Sequence, residues 1–98
     1  METKISLKTR NKFLQKHKDL FWYMDKSKIN EISDEVLVEF ILNYGSWDDF
    51  LALKKMYGIL NLTEIFINIS TQQKSNLFPK IEHFFNLYFQ RYEPQYFK

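Results

Sequence analysis

The chain has no cysteine, and its 98 residues include only two glycines and two prolines. Without cysteine it cannot form disulfides, use a thiol nucleophile or build a cysteine-ligated zinc site. Gly45 and Gly58 are too few for the glycine-rich loops that hold phosphate groups or dinucleotides. A cysteine-free chain is typical of the reducing cytoplasm, where we expect this protein to be located.

Patterns of catalytic and metal-binding residues are also missing. His17 and His83 are the only histidines, and neither has a second histidine three or four positions away, as a helical metal site would need. The acidic pairs at 34–35 and 48–49 fall where helices are predicted to begin, and there carboxylates stabilise the helix dipole. No G-x-S-x-G motif presents a serine nucleophile. We therefore predict a protein that is not an enzyme and that needs no metal and no cofactor.

Long apolar segments are absent as well. A membrane-spanning helix needs about 18 or more consecutive apolar residues, and the chain has no such run. The N-terminus also lacks the apolar stretch of about 7 to 15 residues that a signal peptide contains. We expect no contact with a membrane.

The content of 45% apolar and 18% aromatic residues is enough for one compact domain. Residues that typically start and end helices divide the chain into helical segments. Ser33 precedes two acidic residues and Gly45 follows eleven residues after Asp34, so they bracket one helix. We expect Gly45 to be left-handed, as the glycine that ends a helix commonly is. Ser46 and Gly58 bracket a second helix in the same way.

Two further helices are predicted in the C-terminal half. Asn61, with Glu64 three residues later, resembles a capping box. Pro79 fits the first turn of the last helix, and Pro94 should end it. The predicted helices cover about residues 34–44, 47–57, 61–69 and 79–92.

Apolar residues in these segments repeat with helical spacing, although residues 65–69 alone would also fit an apolar strand. We predict an all-α fold, a compact bundle of four to five short helices, with residues 20–98 forming a single helical domain.

The N-terminal segment is more basic than the rest of the chain. Residues 1–18 carry six basic side chains against Glu2 alone, a charge of +5, which leaves −3 for residues 19–98. The basic side chains are Lys4, Lys8, Arg10, Lys12, Lys16 and Lys18. Four of the lysines repeat every four residues, a spacing at which like charges destabilise an isolated helix. We predict that residues 1–19 form a basic arm or helix, whose six basic side chains are candidate contacts for an anion, either nucleic acid or an acidic protein surface. A solvated helix face is the plainer alternative.

The helix after Ser33 has apolar residues on more than one side. Val38 and Leu42 lie roughly opposite Val36 and Phe40, so the apolar arc is too wide for one neighbouring helix. Either this helix is central and covered all round, or part of its surface binds another protein. Large aromatic residues elsewhere are enriched in interfaces as well as in cores. The candidate protein interface comprises Trp22, Tyr23, Val38, Leu42 and Trp47.

Four segments, at residues 20–25, 39–45, 53–58 and 83–85, read LFWYMD, EFILNYG, LKKMYG and HFF. Together they resemble a family of short, all-helical bacterial proteins. The family pattern is LFWD, a helix ending in YG or RG, a W-x-x-(I/L)-x-x-x-YG helix, and a final helix with T-x-(N/H)-F. Its members are typically encoded just upstream of nucleotidyltransferase-like toxins of the abortive-infection type. The resemblance covers about residues 20–89 and implies no active-site residue.

Two positions depart from that pattern. Tyr23 stands where the family has aspartate, and the nearest acid is two places later at Asp25. Residues 80–83 replace the threonine-bearing segment of the last helix.

The resemblance implies the antitoxin half of a toxin–antitoxin or phage-defence pair. We therefore expect a non-enzymatic protein that binds and neutralises a cognate nucleotidyltransferase, the product of an adjacent gene. One alternative is a nucleic-acid-binding regulator that uses the basic N-terminal arm. Another is an inhibitor of a different phage-defence machine.

Overall fold

The computed structural model describes residues 7–21, 31–72 and 75–97. It has five α-helices in these ranges: α1 (Leu7–Lys16), α2 (Asp34–Tyr44), α3 (Trp47–Tyr57), α4 (Ile59–Ser70) and α5 (Pro79–Tyr92). Short 3-10 helices cover Lys18–Phe21 and Pro94–Phe97. The described ranges contain no strand, which confirms the predicted all-α bundle. No helix in those ranges has both the length and the apolar character needed to cross a membrane.

The helix α2 is at the centre of the bundle. It packs against α3, α4 and the first 3-10 helix. Its six consecutive residues from Leu37 to Leu42 are all buried, so neighbours surround the middle of the helix. Of the two alternatives that the wide apolar arc left open, the structure shows the first, a central helix whose apolar residues are covered by its neighbours.

The core between α3, α4 and α5 is built mainly from phenylalanine. Phe50 of α3 lies against Phe85 of α5, with ring centroids 4.8 Å apart. Phe66 of α4 lies against Phe89, with centroids 4.9 Å apart. Rings at these distances gain stacking energy beyond the burial of their area, so they hold the three helices together.

Side-chain caps fix the starts of two helices. Ser33 Oγ accepts a hydrogen bond from the backbone N–H of Val36 at 3.2 Å. Ser46 Oγ accepts one from the N–H of Asp49 at 3.2 Å, and Asp49 Oδ2 accepts one from the N–H of Ser46 at 2.9 Å. The predicted bounds of α2, α3 and α5 are confirmed.

The predicted start of α4 is wrong by two residues. The helix begins at Ile59, directly after Gly58, whose φ of 82° is a conformation that glycine adopts readily. Asn61 is not a cap, because its Nδ2 donates to the backbone oxygen of Tyr57 at 3.0 Å, inside the chain turn that joins α3 to α4. Residues 65–69 lie within this helix, so the strand reading is excluded.

The expected left-handed conformation of Gly45 is also wrong. Its φ is −80° and its ψ is 164°, which is extended backbone. The reason is that Ser46 follows immediately as the cap of α3, so the chain straightens at once between the two helices. Glycine is required here by close approach, since a Cβ atom would lie 2.7 Å from the backbone oxygen of Ile41.

The N-terminal helix α1 belongs to the same hydrophobic core as the rest of the chain. Phe13 and Leu14 are buried in the cluster that includes Leu37 and Phe50. Phe21 is buried against Phe40, with ring centroids 4.9 Å apart. The division that the sequence predicted at residue 19 is therefore not a boundary of the core.

The polar side of α2 holds the segment before α5. Glu39 Oε2 accepts a hydrogen bond from the backbone N–H of Asn76 at 3.1 Å. Asn43 Nδ2 donates to the backbone oxygen of Asn76 at 3.0 Å, and Asn43 Oδ1 accepts from the N–H of Phe78 at 3.0 Å. These contacts explain why a buried helix keeps two polar side chains in line, and they set the position from which α5 starts.

Candidate functional site

Exposed apolar residues of α3 and α5 form one continuous surface. Trp47 is 48% exposed, Phe84 is 50% exposed and Tyr92 is 54% exposed, although all three are large and largely apolar. Leu51 is also exposed, and Tyr88 is partly buried between the others. We call Trp47, Leu51, Phe84, Tyr88 and Tyr92 the aromatic face.

The rings of the aromatic face are in contact with one another. Trp47 meets Phe84 and Tyr88 edge-on, with centroid distances of 6.2 Å and 5.8 Å. Tyr88 lies 4.7 Å from Tyr92, centroid to centroid. Since each ring restricts its neighbour, the surface loses little side-chain entropy when a partner covers it.

Local sequence places these side chains side by side. The capping box at Ser46 makes Trp47 the first residue of α3, and Leu51 follows one turn later on the same side. The start of α5 at Pro79 puts residues 84, 88 and 92 on one side of that helix, because they are four apart.

A cavity of about 400 Å³ lies beside the aromatic face, between α3 and the C-terminal half of α5. Leu51, Tyr88 and Tyr92 form its apolar wall, and Lys54 and Lys55 border it. The Lys54 ammonium donates a hydrogen bond to Tyr88 Oη at 3.2 Å and lies 5.9 Å from the centre of the same ring. This contact holds the tyrosine in place, and the cavity gives a partner side chain a site next to exposed aromatic rings.

The residues predicted as a protein interface have different outcomes. Trp47 is on the surface, as an interface residue must be. Val38 is fully buried and Leu42 is 4% exposed, so both belong to the core, and their assignment to an interface is corrected. Both side chains are buried because α2 is at the centre of the bundle. Trp22 and Tyr23 lie outside the described residues.

Sequence reasoning missed four members of the aromatic face. The predicted interface did not include Leu51, Phe84, Tyr88 or Tyr92, although all four lie in the apolar stripes of α3 and α5. A signal was available on α5, because its seven apolar residues between Ile81 and Tyr92, Leu87 included, span an arc of about 200° at 100° per residue. Only Phe85 and Phe89 of that arc are buried. The part of this apolar arc that the core does not cover forms the exposed surface of α5.

The predicted anion-contact residues divide into three groups. Lys8, Lys12, Lys16 and Lys18 are exposed. Lys4 lies outside the described residues. Arg10 is buried, and its assignment to an anion site is corrected: Arg10 Nε lies 2.9 Å from Asp34 Oδ1 in a salt bridge to the start of α2.

The Arg10 side chain is part of a polar network that joins α1, α2 and α3. Its Nη2 donates to the backbone oxygen of Ile32. Tyr57 Oη donates to Asp34 Oδ1 at 2.6 Å. Burial and the adjacent Asp34 carboxylate raise the pKa of the Tyr57 hydroxyl above its usual value, so this group stays protonated as a donor. Each member of the network thus has a partner within the fold.

A second polar contact joins the end of α1 to the start of α3. The His17 ring nitrogens face the backbone oxygen of Phe13 at 2.9 Å and Asp49 Oδ1 at 3.1 Å. The backbone N–H of Ser46, together with His17, lowers the pKa of the Asp49 carboxyl. Within the ranges that the structure describes, no three histidine, aspartate or glutamate side chains are grouped as ligands of one metal ion.

Comparison with known protein families, curated proteins and solved structures finds no match to this chain. The resemblance at residues 20–89 therefore stays a prediction. The family-like segments supply structural residues, since Gly45 and Gly58 end helices and Phe85 is buried.

Proposed function

We propose that this chain is a non-enzymatic, antitoxin-like protein that binds and neutralises a nucleotidyltransferase encoded next to it, with the aromatic face as its contact surface. The observation that supports binding is the cluster of half-exposed rings at Trp47, Phe84 and Tyr92. Tryptophan and tyrosine are enriched among the residues that dominate binding energy. The identity of the partner rests on the family resemblance.

Neutralisation by this route works through occlusion. A stable interface buries about 800 Å² on each partner, with apolar anchors at its centre and polar residues around them. The aromatic face supplies the anchors, and Lys54 and Lys55 lie at its edge. A partner covered over this area is blocked when its active site lies under the interface, and no chemical step by this chain is needed.

Co-expression with the product of the adjacent gene tests the proposal. Tagged full-length chain should co-purify that protein and relieve its toxicity. Trp47→Ala and Phe84→Ala should each weaken the complex by roughly 30-fold or more, as expected for central anchors worth about 2 kcal/mol.

Tyr44→Ala is the matched control, because Tyr44 is an aromatic residue with the same 48% exposure as Trp47 but belongs to α2. It should leave the affinity within about threefold of the wild type, the range of a residue outside the central anchors. Absence of a complex with the wild-type chain, or unrelieved toxicity, would remove the proposal. Equal losses for Tyr44→Ala and Trp47→Ala would remove the aromatic face from it.

A nucleic-acid-binding regulator is the second candidate function, and the exposed lysines of α1 favour it. Lys8, Lys12 and Lys16 repeat at one-turn spacing along the helix. Binding of this kind weakens steeply with salt and is reduced uniformly across sequences when a lysine is replaced. Affinity for duplex or single-stranded oligonucleotides that does not change with salt, or that is absent, would remove this candidate.

A further inference from the structure

A second groove lies between α1 and α3, with a volume of about 700 Å³. Three lysines and four less polar side chains line it: Thr9, Lys12, Phe13 and Lys16 from α1, and Ala52, Lys55 and Met56 from α3. We call it the basic groove.

The cations of the basic groove have no ion-pair partner in the part of the chain that the structure describes. Lys12, Lys16 and Lys55 make no ion pair with the described residues, and no carboxylate lines the groove. The acids of α3, Asp48 and Asp49, lie in its first turn and do not line the groove, and Asp49 already contacts Ser46 and His17. Lys12 and Lys16 also repel each other at one-turn spacing. An incoming carboxylate would therefore meet three unpaired ammonium groups.

The floor of the basic groove is apolar. Ala52 and Met56 are four residues apart and therefore lie on the same side of α3. Both are partly buried against the core. Methionine adapts its shape to varied apolar partners. Lysine side chains present their own methylene stems along such a floor while the ammonium groups reach solvent. The groove thus joins an apolar base to a positive rim.

This combination distinguishes a protein ligand from single-stranded nucleic acid. Single-stranded nucleic acid binds through phosphates and through bases stacked on exposed aromatic rings. Phe13, the aromatic residue of the groove, is buried and already stacked on His17 with centroids 4.1 Å apart. No ring of the groove is available for a base. An amphipathic helix, in contrast, offers apolar side chains at one-turn spacing with charged side chains beside them.

We infer that the basic groove binds an acidic amphipathic helix of a protein partner, with aliphatic side chains on Ala52 and Met56 and carboxylates paired to Lys12, Lys16 and Lys55. The inference deepens the proposed function by naming the chemistry of a second contact. It rests on that function only for which protein supplies the helix.

The test measures binding of a fluorescently labelled synthetic peptide to the purified full-length chain. The peptide has about 15 residues, near the shortest length at which an isolated helix forms, with leucines on one helical face and glutamates on the other. Lys12→Glu, Lys16→Glu and Lys55→Glu should each weaken binding at least tenfold. Met56→Ser should weaken it several-fold without changing the charge.

Two controls separate the groove from general charge attraction. Lys8→Glu makes the same charge change on the same helix, but Lys8 does not line the groove, so it should have less than a threefold effect. A peptide of the same composition with leucines spread around the helix should bind at least tenfold more weakly. Equal losses for Lys8→Glu and Lys12→Glu, or equal binding of the rearranged peptide, would overturn the inference. Tighter binding of a single-stranded oligonucleotide than of the peptide would also overturn it.

The outcomes of this assay and of the co-expression experiment can be told apart. Peptide binding without capture of the adjacent gene product would retain the groove and remove the proposed partner. Capture that is sensitive to Trp47→Ala, with no peptide binding, would retain the proposed function and remove the groove.

Discussion

Two adjacent phenylalanines on α5 provide a direct test of which side of that helix is free. Phe84 is 50% exposed, whereas Phe85 is 5% exposed and packs on Phe50. Replacing each with alanine makes the same chemical change on the same helix. Helix propensity changes equally in the two variants, so the difference between them reports tertiary packing alone.

The structure sets the size of that difference. Phe85→Ala removes a ring from the core and leaves a cavity, which costs about 3 to 5 kcal/mol. Full burial of a phenylalanine is worth about 1.5 to 3 kcal/mol, and Phe84 loses only about half of that on truncation. Its edge-on contact with Trp47 adds roughly 0.5 kcal/mol. We therefore expect Phe84→Ala to cost roughly 1 to 2 kcal/mol and Phe85→Ala at least twice as much.

Urea denaturation followed by far-ultraviolet circular dichroism measures both variants, since this signal does not depend on the Trp47 ring. With a slope near 1.5 kcal/mol per molar urea, the midpoint should fall by about 1 M for Phe84→Ala and by about 2 to 3 M for Phe85→Ala. If Phe85→Ala is unfolded without urea, Phe84→Leu and Phe85→Leu give the same comparison with smaller losses. Equal losses at the two positions would show that the aromatic face is packed, and would refute the assignment of an open surface.

Three further predictions concern the polar contacts. The backbone N–H of Ser46 holds the pKa of Asp49 below its unfolded value of about 3.9, so this carboxylate stabilises the fold above that pH and loses the effect as pH falls through the folded value. The stability advantage of the wild type over Asp49→Asn should therefore shrink on acidification, and a constant advantage in urea titrations would contradict the contact. Burial and Asp34 raise the pKa of Tyr57, so the stability of the fold should fall as pH rises above about 10. Tyr57→Phe should cost about 1.5 to 3 kcal/mol of stability at neutral pH and should reduce the loss at alkaline pH, and urea titrations across pH measure both effects. Asn43→Ala frees two backbone groups of the segment before α5 and should cost about 1 to 3 kcal/mol, with faster amide hydrogen exchange confined to that segment.

Features of the fold that depend on neighbouring residues in the sequence were predictable. Ser33 and Ser46 cap α2 and α3 through bonds to residues three positions away, so the signal and the structure are both local. The start of α4 was predicted wrongly because two local signals compete there. Asn61 has the composition of a cap, but the positive φ of Gly58 starts the helix earlier and leaves the Asn61 amide to bond back to Tyr57.

Features that depend on tertiary partners were not predictable from composition. Arg10 was grouped with the lysines of α1 by charge, whereas its partner Asp34 is 24 residues away. Helical geometry did indicate this, because Arg10 is about 160° from Lys8 around the helix and about 40° from the buried Leu14. A cation on the apolar side of an amphipathic helix needs a buried partner, and the sequence alone does not say which carboxylate supplies it.

The same limit applies to α2 and α5, whose apolar arcs are both wide. On α2 neighbours cover Val38 and Leu42 completely, while on α5 Phe84 and Tyr92 stay exposed. Periodicity measures the width of an arc, but the number of neighbours that cover it is a property of the assembled bundle.

The helix α3 connects the two proposed contact surfaces. Its buried residues, Phe50, Leu53 and Tyr57, occupy one side. At 100° per residue, Trp47 and Leu51 then fall toward α5, and Ala52 and Met56 fall toward α1. Lys55 lies between these pairs and borders both the cavity beside the aromatic face and the basic groove. The helix is thus a ridge between an aromatic surface and a cationic one. A partner that covered both surfaces would also cover Lys55, because this lysine borders each of them.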